Sequence, residues 1–218
     1  MANILVIGAS RGIGLEATKQ LLSEGHGVRA FARTASSSIT LEHPRLEKFD
    51  ADALDEGALQ SAIRGSDGVI QSLGIPFDLN MIAGPISIFS RATETLVAAM
   101  QKERVDRLLC VTGFGSGDCH PHIHWLQKPA FNLVFGRAYA DKSRQEAIIK
   151  DSHLDWTIVR PGMLTNGGMR EDYKVLREPA DWVNGSISRE SVAHFLCQQA
   201  TSEAFTHTSP VLVQHAWF

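Results

Sequence analysis

The most constraining feature of this sequence is a strand that runs directly into a glycine-rich turn and then into a helix. The segment NILVIGASRGIGLEA covers residues 3–17, and its apolar run Asn3–Ile7 is typical of a buried strand. From Ile13 onward apolar residues recur at helical spacing, and three glycines separate the two elements: Gly8, Gly12 and Gly14. Such a joint presents bare backbone N–H groups at a helix N-terminus, which favours a bound phosphate. The segment therefore predicts the pyrophosphate-binding turn of a nucleotide-binding fold.

Strand and helix patterns alternate along the rest of the chain. Further strands are predicted at residues 27–33, 45–51, 67–74, 105–113, 154–162 and 210–214. Further helices are predicted at residues 55–65, 86–101, 138–151 and 188–200. Apolar strands that alternate with helices indicate a parallel sheet covered on both faces. With right-handed crossovers the result is an α/β fold with a doubly wound parallel sheet, the three-layer α/β/α Rossmann arrangement, in a single domain over residues 1–218.

Composition excludes several classes of function. The net charge of −3 does not suggest a nucleic-acid partner, and no apolar run approaches the roughly 20 residues that span a bilayer. The N-terminus lacks a basic region followed by a cleavable apolar stretch. The cysteines are three in number and form no C-x-x-C pair, which favours reduced thiols and a cytoplasmic location.

Two stretches fit no regular element, at about residues 114–137 and 163–187. Each follows a predicted strand, so both are expected at the carboxyl edge of the sheet, where open α/β folds bind ligands. Both stretches are rich in aromatic and apolar side chains. We interpret them as loops on the substrate side of the domain, since ligand pockets are mostly apolar. The alternative is that their side chains only cover the ends of the sheet.

The end of the predicted second strand reads FARTASSS and indicates which dinucleotide the fold binds. In such folds an acidic residue at this point holds the ribose hydroxyls, whereas an arginine suits a 2′-phosphate. Here Arg33 stands in place of the acid, Thr34 follows it, and Arg11 lies in the glycine turn. A guanidinium binds phosphate through paired, charge-assisted hydrogen bonds. NADP(H) is therefore predicted in preference to NAD(H), the alternative being that Arg33 is a solvated loop residue.

Several segments, taken in order, form a pattern. GASRGIG (residues 8–14) follows the first strand, FDADALD (49–55) and QSLG (71–74) lie at the ends of the third and fourth, and ISRESVAHFLCQQ (187–199) covers the predicted last helix. The stretch YADKSRQEAIIKDSHLDWTIVRPGML, residues 139–164, combines a lysine-bearing helix, a short turn and a strand ending in R-P-G. Together these segments resemble the short-chain dehydrogenase/reductase superfamily, in particular its atypical NmrA-like and biliverdin/flavin-reductase-like branch, over nearly the whole chain.

The resemblance extends the set of candidate coenzyme-binding residues beyond the glycine turn. It implies that Asp52 reaches the adenine with Ala53 alongside, and that QSLG passes under a ribose. Pro161 and Gly162 are expected to shape the turn that passes the nicotinamide. The full candidate set is Gly8, Ser10, Arg11, Gly12, Ile13, Gly14, Arg33, Thr34, Asp52, Ala53, Ser72, Leu73, Gly74, Thr112, Lys142, Pro161, Gly162 and Met163.

The catalytic pattern of the superfamily is only partly present. Its usual members reduce carbonyls with a Tyr-x-x-x-Lys pair and a serine, the tyrosine passing a proton to the substrate oxygen. Here Lys142 is present, but Ala138 stands four residues before it and Tyr139 only three. One residue turns a side chain by about 100° on a helix, so Tyr139 misses the usual position. The candidate catalytic residues are Lys142, Tyr139 and Thr112.

A conjugated acceptor suits this residue set better than a ketone. Hydride transfer to a flavin, quinone or tetrapyrrole spreads the charge over the ring system, so that water can supply the proton and the protein mainly positions two rings. We therefore predict an NADP(H)-dependent oxidoreductase with a small, planar acceptor, and a monomer or homodimer without nucleic-acid or membrane partners. Two alternatives stay open: a non-catalytic NmrA-like sensor of NADP(H), and a carbonyl reductase or nucleotide-sugar epimerase-like enzyme that uses Tyr139 and Lys142.

Three histidines at alternate positions, in the stretch CHPHIHW, pose a separate question. If this stretch were extended, His120, His122 and His124 would point to one side, as metal ligands do. The segment HPHIHW itself contains no carboxylate to support such a site. No metal is therefore expected, and one of the histidines is a candidate to line the acceptor cleft.

Overall fold

A computed structural model describes residues 1–75, 86–126 and 128–217. The strands it describes are β1 (Asn3–Ile7), β2 (Gly27–Ala32), β3 (Leu46–Asp50), β4 (Gly68–Gln71), β5 (Arg107–Val111), β6 (Asp155–Pro161), β7 (Met163–Thr165), β8 (Lys174–Leu176), β9 (Gly185–Ser188), β10 (Val211–Val213) and β11 (His215–Ala216). The helices it describes are α1 (Gly12–Ser23), α2 (Ala35–Ser38), α3 (Glu56–Ile63), α4 (Ile88–Glu103), α5 (Lys128–Lys150) and α6 (Arg189–Ala200), with 3-10 turns at Gly117–His122 and Pro179–Asp181.

The main sheet has the strand order of a doubly wound fold. Among the described residues its strands lie in the order β3-β2-β1-β4-β5-β6-β10-β8. Neighbours are parallel from β3 to β10, and β8 pairs antiparallel with β10 at the edge. The chain moves outward from β1 in both directions, so the order reverses between β1 and β4. The predicted Rossmann fold is confirmed, with one antiparallel edge strand added.

The alternation of side chains along β1 divides the core into two layers. Ile4 and Val6 point to the face that α1 and α6 cover, and Leu5 and Ile7 point to the face that α3, α4 and α5 cover. This follows from the two-residue repeat of a strand, which sends successive apolar side chains to opposite faces. A strand buried on both faces needs an unbroken apolar run, and the sequence supplies one here.

Both stretches predicted as loops contain regular structure. Helix α5 begins at Lys128, although the sequence predicted its start at residue 138. Pro129 falls in the first turn of α5, where the N–H that proline lacks has no helical partner, so it starts the helix instead of breaking it. In the second stretch, β7 and β9 pair with each other, and β11 completes a small three-stranded sheet.

All three cysteines, Cys110, Cys119 and Cys197, are buried as free thiols. Within residues 1–75, 86–126 and 128–217, no helix combines the length and apolar character required to cross a bilayer. The single domain over residues 1–218 stays a prediction.

Candidate functional site

A cleft of about 1280 Å³ opens at the carboxyl ends of the central strands, beside the point where the strand order reverses. Ligands bind open α/β sheets at this point, because the loops from two neighbouring strands diverge there and leave a crevice. Fourteen predicted residues line the cleft: Gly8, Ser10, Arg11, Gly12, Ile13, Arg33, Thr34, Asp52, Ala53, Ser72, Leu73, Gly74, Thr112 and Lys142. The structure therefore brings together residues from both halves of the sheet.

The turn between β1 and α1 requires glycine at two positions. Gly8 has a φ of +85°, and a Cβ there would lie 2.7 Å from the carbonyl oxygen of Ser72. A Cβ on Gly14 would overlap the carbonyl oxygen of Gly8 and the hydroxyl of Ser72. Gly14 itself is not among the residues that line the cleft. Its role in the structure is to let α1 pack directly against the end of β1.

The first turn of α1 presents N–H groups without protein partners. The backbone N–H groups of Gly12, Ile13 and Gly14 have no hydrogen-bond acceptor among the described residues. No acidic side chain lies in this first turn to oppose the positive end of the helix dipole. Gly12 has a φ of +58° and no side chain, so the only atoms within 4 Å of the point that a Cβ there would occupy belong to the side chain of Arg189. The residues present thus fit the pyrophosphate of a dinucleotide.

Positive side chains lie at the end of the cleft beyond β2. Arg33 and Thr34 follow β2, and Arg11 immediately precedes α1 across the cleft. Both arginines are exposed, and neither forms an ion pair with a described carboxylate. The nearby carboxylate of Asp50 instead accepts a hydrogen bond of 2.8 Å from the Ser36 N–H, which lowers the pKa of Asp50. This end of the cleft suits a doubly charged anion.

Lys142 lies at the opposite end of the cleft, beneath an apolar wall. Its ammonium donates a hydrogen bond of 2.6 Å to the carbonyl oxygen of Thr112 and lies 4.8 Å from the centre of the Phe89 ring. Removal from water lowers the pKa of Lys142 to about 8, against the opposing effects of Cys110, Glu146 and Asp141. The hydroxyl of Thr112 points away from the cleft, because it donates a hydrogen bond of 2.7 Å to Glu146.

Tyr139 does not reach the cleft. Its ring packs edge-on against Phe131, with centroids 4.7 Å apart, and against Phe135 at 6.2 Å. Its hydroxyl lies over Gly113, where a Cβ would approach it to 2.6 Å. Burial raises the pKa of Tyr139 to about 12. Tyr139 is therefore a half-buried residue packed against two aromatic rings outside the cleft lining, and it is not placed to protonate a ligand in the cleft.

Three other predicted residues lie outside the cleft lining. Pro161 is buried at the end of β6, and a Cβ on Gly162 would overlap the backbone of Gly185 in β9. Met163 is 57% exposed at the start of β7. The sequence predicted that Pro161 and Gly162 shape the turn past the nicotinamide. In the fold none of the three residues lines the cleft, whereas Leu164, the residue of β7 after Met163, does.

Sequence reasoning missed residues that reach the cleft from other elements. They are Ile7, Glu16, Phe31, Ala32, Ser38, Ala51, Ile75, Ile88, Phe89, Val111, Leu164, Asn166, Gly167, Arg189 and Glu190. Phe89 and Ile88 come from the start of α4, and Arg189 comes from the start of α6. No sequence signal placed Arg189 at the cleft, because the strand before α6 is β9, which belongs to the small sheet and was not predicted.

The three histidines do not form a cluster. His120 and His122 lie in the 3-10 turn Gly117–His122, so the extended geometry considered above does not occur. His120 contacts Asn132 at 3.2 Å, and His122 packs edge-on against Trp182. In the part of the chain that the structure describes, no three His, Cys, Asp or Glu side chains are grouped to hold a metal ion.

Comparison with known families supports a dinucleotide site. A family model described as NAD(P)H-binding matches residues 8–203. An uncharacterized chloroplastic protein of Arabidopsis thaliana is 29% identical over 207 residues, which are 92% of this chain and 72% of that protein. The chloroplastic protein TIC 62 of Oryza sativa is 26% identical over 216 residues, and the match spans 88% of this chain but only 42% of TIC 62. The cytoplasmic location stays a prediction.

A solved structure extends this comparison to the whole chain. ChuY of Escherichia coli O157:H7, described as an anaerobillin reductase, is 25% identical to this chain. The two superpose with a TM-score of 0.81 over 97% of each chain. The similarity confirms the Rossmann-like fold and the resemblance to atypical short-chain dehydrogenase/reductase proteins that the sequence motifs indicated.

Proposed function

The chain belongs to the NAD(P)H-binding family, and from this we infer that it is an oxidoreductase that uses NADP(H). Its second substrate is a planar, conjugated acceptor such as a flavin, a quinone or a tetrapyrrole. One observation carries the proposal: a single cleft combines an open glycine turn, a pair of arginines at one end, and Lys142 beneath an apolar wall at the other. The similarity to ChuY, described as a reductase, supports the same class of reaction.

The coenzyme is held by groups spread along the cleft. The N–H groups at the start of α1 would hold the pyrophosphate, and Arg33 with Arg11 would hold the 2′-phosphate. Asp52 would face the adenine; its carboxylate lines the cleft and accepts a hydrogen bond of 2.9 Å from the Leu54 N–H. Lys142 would hold the ribose of the nicotinamide. Neither arginine at the β2 end forms an ion pair with a carboxylate in the described part of the chain. Both guanidinium groups are therefore available to the 2′-phosphate, which NADP(H) carries and NAD(H) lacks.

The acceptor end of the cleft favours stacking over proton donation. Bound NADPH would supply a hydride, and the protein positions the acceptor ring beside it. Ile75, Ile88 and Phe89 provide an apolar surface for that ring, and water supplies the proton that completes the reduction. The hydroxyl of Thr112 is engaged with Glu146, and Tyr139 is enclosed elsewhere. A conjugated acceptor suits this arrangement, because it does not need a side-chain acid to trap a localised alkoxide.

A binding and turnover series tests the proposal. NADPH and NADH are titrated against the purified protein, and NADPH oxidation is then followed with FMN, FAD, a quinone, biliverdin and simple carbonyls. We expect tighter binding of NADPH and turnover with at least one conjugated acceptor but not with carbonyls. Binding of NADPH with turnover of carbonyls alone would contradict the acceptor class, and absence of dinucleotide binding would contradict the whole proposal.

A non-catalytic sensor of NADP(H) is the second candidate. It is favoured by the placement of Tyr139, the candidate proton donor, outside the cleft lining, and by the Thr112 hydroxyl, which is bonded to Glu146. A sensor would bind NADPH and oxidise it with none of the acceptors. The same placement of Tyr139 argues against a carbonyl reductase or an epimerase-like enzyme.

A further inference from the structure

Arg189, the first residue of α6, lies across the cleft from the glycine turn. Its Cδ and Nε atoms are 3.8 Å from the point that a Cβ on Gly12 would occupy. Helices α1 and α6 are packed against each other, and the side chain of Gln20, in the C-terminal half of α1, donates a hydrogen bond of 3.0 Å to the carbonyl oxygen of Glu190 in the first turn of α6. The guanidinium of Arg189 is thus fixed over the turn whose N–H groups are open.

The positive charge of Arg189 is not neutralised by the protein that the structure describes. Its Nη1 donates to the carbonyl oxygen of Thr165 at 3.1 Å and to the side-chain oxygen of Asn166 at 2.7 Å, and both acceptors are uncharged. No carboxylate of a described residue forms an ion pair with it. The neighbouring carboxylate of Glu190 instead accepts a hydrogen bond from the Met169 N–H. A half-buried cation without a counter-ion is costly, so this arrangement favours an anion in the cleft.

We propose that Arg189 binds the pyrophosphate of the dinucleotide from the side opposite the N–H groups of α1. Asn166 is its positioning residue, because its side-chain oxygen holds the guanidinium over Gly12. This inference rests on the proposed function, since it assigns a further contact within the same coenzyme site. The pyrophosphate is common to NADPH and NADH, so Arg189 supports binding of both, whereas Arg33 distinguishes between them.

The experiment compares three ligands on wild-type protein, Arg189→Gln and Asn166→Ala. Binding of NADPH and NADH is measured by titration, and adenosine 2′-monophosphate, which lacks the pyrophosphate, is measured by competition. We expect Arg189→Gln to lower the affinities for NADPH and NADH by the same factor, about tenfold or more, because a charge-assisted hydrogen bond to the pyrophosphate is lost. Binding of adenosine 2′-monophosphate stays unchanged. Asn166→Ala is expected to lower the affinities for both dinucleotides equally, by a smaller factor than Arg189→Gln does.

The control is Arg45→Gln, which removes an exposed arginine outside the cleft lining and keeps the binding of all three ligands. Far-ultraviolet circular dichroism and thermal melting show whether each variant is folded, and Arg189→Lys provides a second variant that retains the charge. Unchanged affinity of folded Arg189→Gln for both dinucleotides would overturn the inference alone. A loss confined to NADPH would overturn it too, because Arg189 would then contact the 2′-phosphate. Failure of the wild-type protein to bind any dinucleotide would instead remove the proposed function.

Discussion

Arg160 and Glu146 form an ion pair that is fully buried beneath the cleft. The Nη2 atom of Arg160 lies 2.5 Å from Oε2 of Glu146, and its Nε lies 3.1 Å from Oε1. Asp118 pairs with the same guanidinium, and the hydroxyls of Thr112 and Ser116 donate to Oε1 of Glu146. The pair therefore ties α5 to the ends of β5 and β6, where Lys142 contacts the cleft.

Removing Arg160 is expected to destabilise the fold strongly. Arg160→Leu leaves the buried carboxylate of Glu146 without its counter-ion, and breaking such a pair costs about 3–5 kcal/mol of unfolding free energy. Urea unfolding followed by circular dichroism measures the change. The matched control is Arg170→Leu, whose pair with Asp172 is exposed and so contributes little in solution. If the two substitutions lower the unfolding free energy equally, burial of the ion pair does not determine how much Arg160 contributes to stability.

Gly14→Ala is expected to disturb the joint between β1 and α1. The added Cβ overlaps the carbonyl oxygen of Gly8, so the helix must shift, at a cost of about 1–3 kcal/mol in unfolding free energy. Thermal melting measures the loss of stability, and titration measures an accompanying loss of NADPH binding. In the control, Gly57→Ala, the new Cβ lies 3.5 Å from Asp55 in ordinary contact, and alanine favours the helix. Wild-type stability of Gly14→Ala would contradict the packing described here.

Arg33→Asp is expected to reverse the preference between the two coenzymes. The carboxylate repels a 2′-phosphate and accepts hydrogen bonds from ribose hydroxyls, so NADPH binding falls by about tenfold or more while NADH binding improves. Fluorescence titration with both coenzymes gives the ratio of dissociation constants. Arg33→Gln separates the two effects, since it should lower the affinity for NADPH without raising the affinity for NADH. An unchanged ratio in Arg33→Asp would show that Arg33 does not contact the 2′-phosphate.

Tyr139→Phe is expected to leave turnover unchanged. The hydroxyl lies over Gly113 within an aromatic cluster and does not line the cleft. Loss of a general acid typically lowers the rate by about a hundredfold or more, so steady-state kinetics distinguishes the two roles. Lys142→Ala serves as the comparison and should weaken NADPH binding. A large fall in kcat for Tyr139→Phe would restore the carbonyl-reductase interpretation.

The stability of the protein without coenzyme is expected to depend on Lys142 in mildly alkaline solution. Burial lowers the pKa of Lys142 from 10.5 to about 8. Between these two values the unfolded chain holds a proton that the folded chain has released, so the Lys142 contribution to unfolding free energy rises with pH.

The measurement is the difference in unfolding free energy between wild type and Lys142→Met across this pH window. The buried thiols and Tyr139 have raised pKa values and act in the opposite direction at higher pH, but both proteins contain them. The difference should therefore grow in favour of wild type as the pH rises. A difference that is constant from pH 8 to 10.5 would contradict the depressed pKa.

The sequence predicted the central elements well because their signals are local. The apolar run of β1, the glycines that follow it and the helical repeat of α1 each depend on a few neighbouring residues. The start of α5 was predicted ten residues late, at 138 in place of 128, because Pro129 and Gly136 interrupt the helical pattern. The small strands β7, β8 and β9 were missed, since segments this short have pairing partners only in distant parts of the chain.

By itself the sequence determined the fold class and the residues at the β1 and β2 ends of the cleft. Backbone sterics confine the glycine turn to a narrow set of conformations, and the parallel sheet brings strand ends to one edge. Only the tertiary structure decided that Tyr139 is enclosed by aromatic rings and that Arg189 faces Gly12. These outcomes depend on how α5 and α6 pack against elements far away in the sequence, and no local pattern encodes the direction in which a side chain points after packing.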